Sequence, residues 1–151
     1  VAPGPVVSEE EYAFAVARTV ALIDQAKNSV KIMSRDFSWI DKAMDSLTAA
    51  LERGVMIQIL VSWNDVPLQH RDALRKLTAS SPRYEMLDYD AGPFRLTICD
   101  DSVAIVVKRR ISGLPQISEA ILESRDLHFV TEMLSVVFQA KFASGRPIPK
   151  G

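Results

Sequence analysis

Apolar residues recur along the chain at two spacings, and each spacing predicts a different kind of element. Between residues 8 and 27, Tyr12, Val16, Val20 and Ile23 follow one another every three or four positions, which predicts an amphipathic helix. The same spacing predicts three further helices, over residues 38–53, 68–79 and 125–142. The apolar surface of the first helix is wider than one sheet face needs. This helix is therefore either a well-covered core element or one that offers a second face to a partner subunit.

Strands are predicted where apolar and polar residues alternate, or where a short apolar run is rich in β-branched residues. Residues 29–34 alternate, whereas residues 55–61 are almost continuously apolar, as is typical of a central strand buried on both faces. Further strands are predicted over residues 84–89, 94–99, 103–108 and 117–122. Early strands alternate with helices, which indicates parallel pairing, and later strands form a hairpin. We therefore predict an α/β fold with a mixed, mostly parallel sheet and helices on both faces.

The composition supports a single folded domain. The chain has 151 residues, of which 48% are apolar and 25% are charged, an ordinary balance for a globular protein. Proline and glycine are concentrated near both ends, so we assign residues 1–8 to a linker or tail and residues 144–151 to a flexible tail. The domain is predicted to span residues 9–143, and we interpret the chain as part of a longer protein or as a processed one.

Charge and cysteine content exclude several classes of protein. A net charge of −1 is not that of a chain built as a whole to bind nucleic acid or anionic lipid. No apolar run approaches the roughly 20 residues of a membrane helix, so we expect no membrane partner.

Cys99 is the single cysteine, which is typical of a cytoplasmic protein and predicts a buried, unreactive thiol. His70 and His128 are expected on exposed helix surfaces. The sequence therefore predicts neither a metal site nor a cofactor.

Polar side chains follow the first two predicted strands, at the end of the sheet where ligands collect in open α/β folds. The candidate ligand-binding residues are Ser34, Arg35, Ser62, Asn64, Arg95 and Thr97. The first two follow the first strand, the next two follow the second strand, and the last two lie on the hairpin and are expected to point toward the same region. Trp63 adds a flat apolar surface suited to a ring. The alternative is that these residues are ordinary polar loop residues.

Three segments of the sequence resemble the phospholipase-D-like fold. Residues 26–33 (AKNSVKIM) resemble its opening strand, and residues 51–61 (LERGVMIQILV) resemble its helix, Arg-Gly-Val turn and buried strand. Residues 94–107 (FRLTICDDSVAIVV) resemble its signature hairpin, which is the most telling of the three. The resemblance covers residues 10–142 and implies the sheet of that family.

The hairpin departs from the family's catalytic motif. Active members carry His-x-Lys-x-x-x-x-Asp, which implies that the histidine attacks phosphorus and that the lysine holds phosphate oxygens. On this chain Pro93 falls on the histidine, Arg95 on the lysine and Asp100 on the aspartate. Proline has no nucleophilic side chain, so the motif implies no covalent catalysis here, although Arg95 can still bind an anion. We expect Asp100 and its neighbour Asp101 to stabilise the hairpin turn by local hydrogen bonds.

The missing histidine makes the chain similar to the TrmB-like branch of the fold. That resemblance implies a non-catalytic domain of a transcriptional regulator that forms a homodimer and senses a small-molecule or anionic effector. It also implies that DNA is bound only through a winged-helix domain absent from this chain. Two alternatives stay open: a phosphodiesterase or nuclease with another nucleophile, and a protein-interaction module of the same fold.

Overall fold

The computed structural model describes residues 9–109 and 118–149, which form one sheet with helices on both faces. The helices are α1 (Glu9–Gln25), α2 (Ile40–Glu52), α3 (Leu68–Ser80) and a last helix, in which a π-helical segment (Phe129–Leu134) continues into α4 (Ser135–Ala143). The strands are β1 (Ser29–Met33), β2 (Met56–Val61), β3 (Tyr84–Asp88), β4 (Phe94–Cys99), β5 (Val103–Arg109), β6 (Ser118–Ser124) and β7 (Arg146–Pro147). The four predicted helices and the first six strands are confirmed.

The seven strands lie in the order β6-β5-β4-β1-β2-β3-β7, so β1 is central. Among the described strands, parallel pairing is confined to β1–β2 and β2–β3, and the other four pairings are antiparallel. The sheet is mixed as predicted, but the prediction that it is mostly parallel is wrong. The reason is that β4, β5 and β6 follow one another as antiparallel neighbours without an intervening described helix, and only the strands joined by α2 and α3 run parallel.

The two faces of the sheet carry cores of different size. The larger core lies under α1, α2 and α3, and it includes Val30, Ile32 and Ile59 from the central strands. The smaller core lies under the last helix and contains Met33, Leu60, Phe138 and Phe142. Each residue of β1 is buried, which fits a strand covered on both faces. Among the described helices, none combines the length and apolar character that crossing a bilayer requires.

The hairpin turn after β4 is more than a local connection. Asp100 and Asp101 have φ values of +56° and +50°, a left-handed pair that aspartate tolerates better than most residues. The Asp100 carboxylate accepts hydrogen bonds from the backbone N–H groups of Lys27, Asn28 and Ser29, at 2.7–3.1 Å. The expectation of local hydrogen bonding is therefore wrong, because Asp100 instead fixes the junction between α1 and β1.

Asp101 binds on the other side of the sheet. Its Oδ1 lies 2.6 Å from Lys31 Nζ and accepts a hydrogen bond of 2.9 Å from Ser135 Oγ. Lys31 Nζ also donates to Ser135 Oγ at 2.8 Å. Lys31 is almost fully buried, so its ammonium needs these partners. The triad joins the central strand, the hairpin turn and the last helix.

The chain returns to the sheet as β7, which the pattern did not predict. Arg146 and Pro147 pair antiparallel with Asp88 and Leu87 of β3. Arg146 Nη2 also lies 3.3 Å from Asp88 Oδ2 and 3.0 Å from Asp90 Oδ1. Two residues with a proline and a neighbouring glycine carry no strand periodicity, so these ion pairs and the packing around them decide the position of the segment.

Candidate ligand site at Arg95

Arg95 lies at the start of β4 with its side chain directed into the space between the sheet and α1. The residue is 7% exposed. Its Nη1 donates a hydrogen bond to the Tyr12 hydroxyl, and its guanidinium carbon lies 5.1 Å from the Tyr12 ring centroid and 5.9 Å from that of Trp39. In the part of the chain that the structure describes, no carboxylate forms an ion pair with Arg95. A buried cation held by aromatic rings and one hydroxyl is suited to accept an anion.

Two of the predicted residues accompany Arg95. Thr97 lies two residues further along β4 and lines the same cavity. Ser34 follows β1 by one residue, and the antiparallel pairing of Met33 with Leu96 places Ser34 opposite Arg95. The Ser34 hydroxyl and the Trp39 indole nitrogen are both buried without a hydrogen-bond partner. The structure thus places Arg95, Thr97 and Trp39 around one cavity, with Ser34 on the neighbouring strand outside its lining.

The cavity between these side chains is small. Its volume is about 10 Å³, roughly the room of one water molecule. Its walls are Tyr12, Trp39, Arg95 and Thr97, with Thr19 and apolar residues of α1 and β5. We call this space the Arg95 pocket. A ligand larger than water fits only when α1 or the Tyr12 side chain moves.

The loop before α2 carries backbone strain beside this pocket. Phe37 has φ of +46° although it is a bulky residue, and its side chain is fully buried against Trp39 with ring centroids 4.5 Å apart. A left-handed non-glycine residue costs on the order of 1–3 kcal/mol and is found where the surrounding structure fixes a functional or packing geometry. Phe37 therefore fixes the position of the Trp39 ring over Arg95.

The other three predicted ligand residues have different surroundings. Arg35 links three loops, since its Nη1 lies 3.3 Å from Asp65 Oδ2, its Nη2 donates to the Ala91 carbonyl at 2.7 Å, and its own carbonyl accepts from Ser62 N–H. Ser62 is half-buried and Asn64 is exposed on the turn Trp63–Asp65. These residues lie on loops at the carboxyl ends of β1 and β2, and they are not among the described residues that line the Arg95 pocket.

Trp63 does not offer the open ring surface that the sequence suggested. The residue is buried, and the guanidinium carbons of Arg71 and Arg75 lie 5.1 and 4.9 Å from its ring centroid. Arg71 also donates to the carbonyls of Trp63 and Val66. The ring is therefore an internal support for α3.

Neither histidine lies beside Arg95. His70, on α3, is largely covered rather than exposed as expected, and its Nε2 lies 3.3 Å from Asp41 Oδ2 of α2. His128 precedes the π-helical segment, where it is 88% exposed and pairs with Glu132.

Cys99 is buried as predicted, and burial, with the adjacent Asp100 charge, raises the pKa of its thiol to about 12. Among the described residues, no group of three or more potential metal ligands comes together.

Tyr89 is a further polar group near this end of the sheet. Its hydroxyl is buried without a hydrogen-bond partner. Burial raises the pKa of Tyr89 to about 12, although the positive charges of Arg35 and Arg95 oppose that shift. Both arginines are therefore close enough to act on the hydroxyl, which stays neutral at physiological pH and can donate a hydrogen bond.

Sequence reasoning missed Tyr12 and Trp39 as site residues. Tyr12 was assigned to the apolar stripe of the first helix, and Trp39 fell within the helix predicted over residues 38–53. The available signal was chemical: Tyr and Trp each carry a polar group on a largely apolar ring, and such residues tend to lie where a polar partner is buried. Arg95 is that partner.

The fold is phospholipase-D-like, as predicted. One similar solved structure is TrmBL2, described as an archaeal chromatin protein with a novel mode of DNA binding, with a TM-score of 0.71 and 16% identity over 89% of this chain. This chain spans 50% of the TrmBL2 chain. Another is NucT from Helicobacter pylori, with a TM-score of 0.71, 15% identity, and coverage of 93% of this chain and 94% of NucT. No protein-family model and no curated protein matches the sequence.

Proposed function

We propose that this chain is a non-catalytic, ligand-sensing and dimerisation domain of a TrmB-like transcriptional regulator. The observation that carries the proposal is Arg95, a buried cation whose partners among the described residues are aromatic side chains and a hydroxyl. It lies two residues after Pro93, which falls on the nucleophile of the phospholipase-D-like motif. Such a site can bind an anion but lacks the imidazole that phosphoryl transfer would need.

The effector proposed for this site is a small molecule that carries an anionic group. The guanidinium of Arg95 would bind two anion oxygens as a fork, and Ser34 and Trp39 would donate to the remaining ones. Thr97 completes the pocket. Arg35, Ser62 and Asn64 would contact the part of the effector that extends toward the loops.

Effector binding would be coupled to the position of α1. Of the α1 residues that line the Arg95 pocket, Tyr12 is the one that accepts a hydrogen bond from Arg95, and the closed pocket has room for about one water molecule. An anion on Arg95 must therefore displace Tyr12. Because the anion binds only the displaced state, it shifts the population of α1 positions, and a domain joined before α1 would sense that shift.

The anion proposal is tested with Arg95→Gln, Tyr12→Ala and inorganic phosphate as the probe. Phosphate should raise the Tm of the parent in a concentration-dependent manner, because it binds only the folded state. Arg95→Gln should lose this rise, whereas Tyr12→Ala should strengthen phosphate binding by opening the pocket. Arg83→Gln, which changes an exposed arginine remote from the pocket, is the matched control. An Arg95→Gln protein that keeps the phosphate response of the parent would refute the assignment.

The proposed homodimer has a candidate surface on the last helix. Leu127, Met133, Val136 and Val137 are each 45–58% exposed on this helix. An apolar surface of this kind is more common at an interface than on an isolated monomer. If the dimer forms here, Val136→Lys should give a monomer in sedimentation velocity, whereas Leu68→Lys on α3 should leave the dimer intact. A parent protein that sediments as a monomer at all concentrations would remove dimerisation from the proposal.

DNA binding is proposed to come from another domain of the regulator. TrmBL2 is about twice as long as the part of it that this chain matches. The net charge of −1 also gives this domain little general attraction for phosphate backbones. Fluorescence anisotropy with duplex DNA should therefore show no salt-dependent binding by this chain alone.

The enzyme alternative is tested with a chromogenic phosphodiester. The absence of a histidine near Arg95 among the described residues argues against a phosphodiesterase. We expect no turnover above the buffer rate. Turnover that copurifies with the protein and is lost in Arg95→Gln would favour the enzyme.

A further inference from the structure

A groove lies between α3 and the residues that return to the sheet at β7. Its volume is about 480 Å³, which is within the range of pockets that hold small molecules. Most of its lining residues are apolar and come from α3, β3 and the segment that contains β7: Ala79, Met86, Leu87, Pro147, Ile148 and Pro149. Thr78 and Arg75 of α3 are the polar members of the lining. The groove therefore combines an apolar surface with one charged group.

The charged group, Arg75, keeps donors available for an anion. Its guanidinium carbon lies 4.9 Å from the Trp63 ring centroid, and its Nη2 donates to the Pro149 carbonyl at 3.0 Å. Because a guanidinium carries several N–H donors around its edge, one stacking contact and one hydrogen bond leave others unused. Arg71, one turn earlier on α3, lies 5.1 Å from the same ring and donates to backbone carbonyls. Two cations thus share one ring.

The positive charge at this groove has no carboxylate partner in the part of the chain that the structure describes. No acidic residue lines the groove, and neither Arg71 nor Arg75 forms an ion pair. Asp88 and Asp90 follow the β3 residues of the groove, and both bind Arg146, at 3.3 and 3.0 Å. An anion bound at Arg75 would therefore supply a missing counter-ion.

The chemistry of the groove favours an amphiphilic anion over a peptide strand. Pro147 and Pro149 have no N–H, so the β7 side of the groove has few backbone donors for an added strand. The negative end of the α3 dipole lies beyond Ala79, which disfavours a carboxylate at that end. The charged head of a ligand therefore belongs at Arg75, with its apolar part toward Ala79 and Leu87.

We propose that this groove, which we call the α3–β7 groove, binds a straight-chain carboxylate taken up from solution as a single molecule. The carboxylate binds the free edge of Arg75, and its alkyl chain covers Met86, Leu87 and Ile148. The proposal goes beyond ligand sensing at Arg95 and does not depend on it.

The test uses isothermal titration calorimetry with decanoate, at concentrations below micelle formation. Decanoate should bind one molecule per chain. Octanoate should bind about fifteenfold more weakly, because two CH₂ groups are no longer buried. Decanol, which has the chain without the charge, should bind at least about tenfold more weakly than decanoate, and decyltrimethylammonium should not bind.

Variants of the chain locate the ligand in the groove. Arg75→Gln should remove the preference for decanoate over decanol, and its Tm should be measured because Arg75 also supports Trp63. Lys76→Gln, which removes the same charge from an exposed position of α3, is the matched control and should bind like the parent.

A second variant fills the groove without removing a charge. Ala79 is exposed, so Ala79→Trp should fold, and its ring should weaken the binding of decanoate and decanol alike by at least about tenfold. Gln69→Trp, at an exposed position near the other end of α3, is its control. Arg95→Gln should bind decanoate as the parent does, which separates this site from the Arg95 pocket.

Four results would overturn the proposal. They are failure of decanoate to bind, equal binding of decanoate and decanol to the parent, unchanged binding by both Arg75→Gln and Ala79→Trp, and loss of decanoate binding in Arg95→Gln. Binding to vesicles that contain phosphatidylglycerol, with no binding of decanoate, would also overturn it, because the occupant would then be a membrane surface.

Discussion

Asp100 falls on the motif aspartate in the resemblance to the phospholipase-D-like hairpin, and its hydrogen bonds in the structure give it a structural role. Burial alone would raise the pKa of Asp100, but hydrogen bonds from the N–H groups of Asn28, Ser29 and Lys27, with the charge of Lys27, outweigh burial and lower the pKa. Arg95 lies five residues earlier on the same strand, about 17 Å away at the rise of an extended chain. The carboxylate is thus removed from the Arg95 pocket and holds the start of β1.

Replacing Asp100 by asparagine should destabilise the protein by about 2–3 kcal/mol, because charge-assisted hydrogen bonds to three backbone donors are lost or weakened. The folded-state pKa is lower than the unfolded value of about 4, so the stabilisation is complete above that pH and is lost as the pH falls through the folded-state pKa. The free energies of unfolding of the parent and of Asp100→Asn, measured with urea at a series of pH values, should therefore become equal in acid.

Asp45→Asn, at an exposed position of α2, is the control for the loss of one negative charge. It should leave both the free energy of unfolding at neutral pH and its acid dependence close to those of the parent. An Asp100→Asn curve that runs parallel to the parent curve at all pH values would contradict the role assigned to this carboxylate.

At the scale of elements, the triad of Lys31, Asp101 and Ser135 and the strand β7 show how distant segments are held together. Lys31 is on the central strand, Asp101 on the hairpin turn and Ser135 at the start of α4. The side chains of Lys31 and Asp101 are 7% and 45% exposed. Loss of the aspartate leaves a buried cation without a counter-ion, whereas loss of the lysine leaves a carboxylate that water can reach.

Asp101→Asn should therefore destabilise more than Lys31→Met. We expect about 3 kcal/mol for the first and less than about 1.5 kcal/mol for the second, since an unpaired buried charge costs more than a packed apolar replacement. Asparagine is chosen because it tolerates the left-handed backbone of this turn. The double variant should lose less free energy of unfolding than the two single variants lose together. Chemical denaturation of all three variants measures these losses. An equal cost for both single variants would argue that the triad contributes little.

Gly145 fixes the entry of the chain into β7. A Cβ at this position would lie 2.9 Å from Leu87 Cβ and 3.1 Å from the Phe142 carbonyl oxygen. Gly145→Ala should therefore push β7 away from β3 and cost about 1–3 kcal/mol of stability. Gly92→Ala is the control, because no atom lies within 4 Å of its added Cβ. The Tm of Gly145→Ala, measured by thermal unfolding, should be lower than that of Gly92→Ala. Equal Tm values would show that β7 contributes nothing to stability.

The sequence predicted the elements better than their connections. Residues 55–61 and the stripe of α1 were clear because burial on one or two faces imposes a regular pattern. The π-helical segment, the strand Arg146–Pro147 and the aromatic cover of Arg95 were missed. Each depends on contacts between residues far apart in the chain, such as Tyr12 with Arg95, and no local spacing records such contacts. For the same reason Arg95 and Thr97 were found from the hairpin motif, whereas Tyr12 and Trp39 were not.

At the scale of the whole molecule, the centre of the sheet should be its most stable part. β1 and β2 are buried under helices on both faces, whereas β6 and β7 each have one strand neighbour among the described strands. Hydrogen exchange should therefore be slowest in β1 and β2 and fastest in β6 and β7. Uniform protection across all strands would indicate that the molecule opens only by global unfolding.

The two ends of the sheet differ in one respect that bears on solubility. At the β7 end, Pro147 has no N–H to offer, and the strand is only two residues long. Fibre growth by strand addition needs two receptive ends on every molecule, one to accept and one to donate. Among the described strands, β6 alone offers such an end, so strand addition through it joins two molecules and then stops. Concentrated solutions should accordingly show discrete small species and no filaments under the electron microscope.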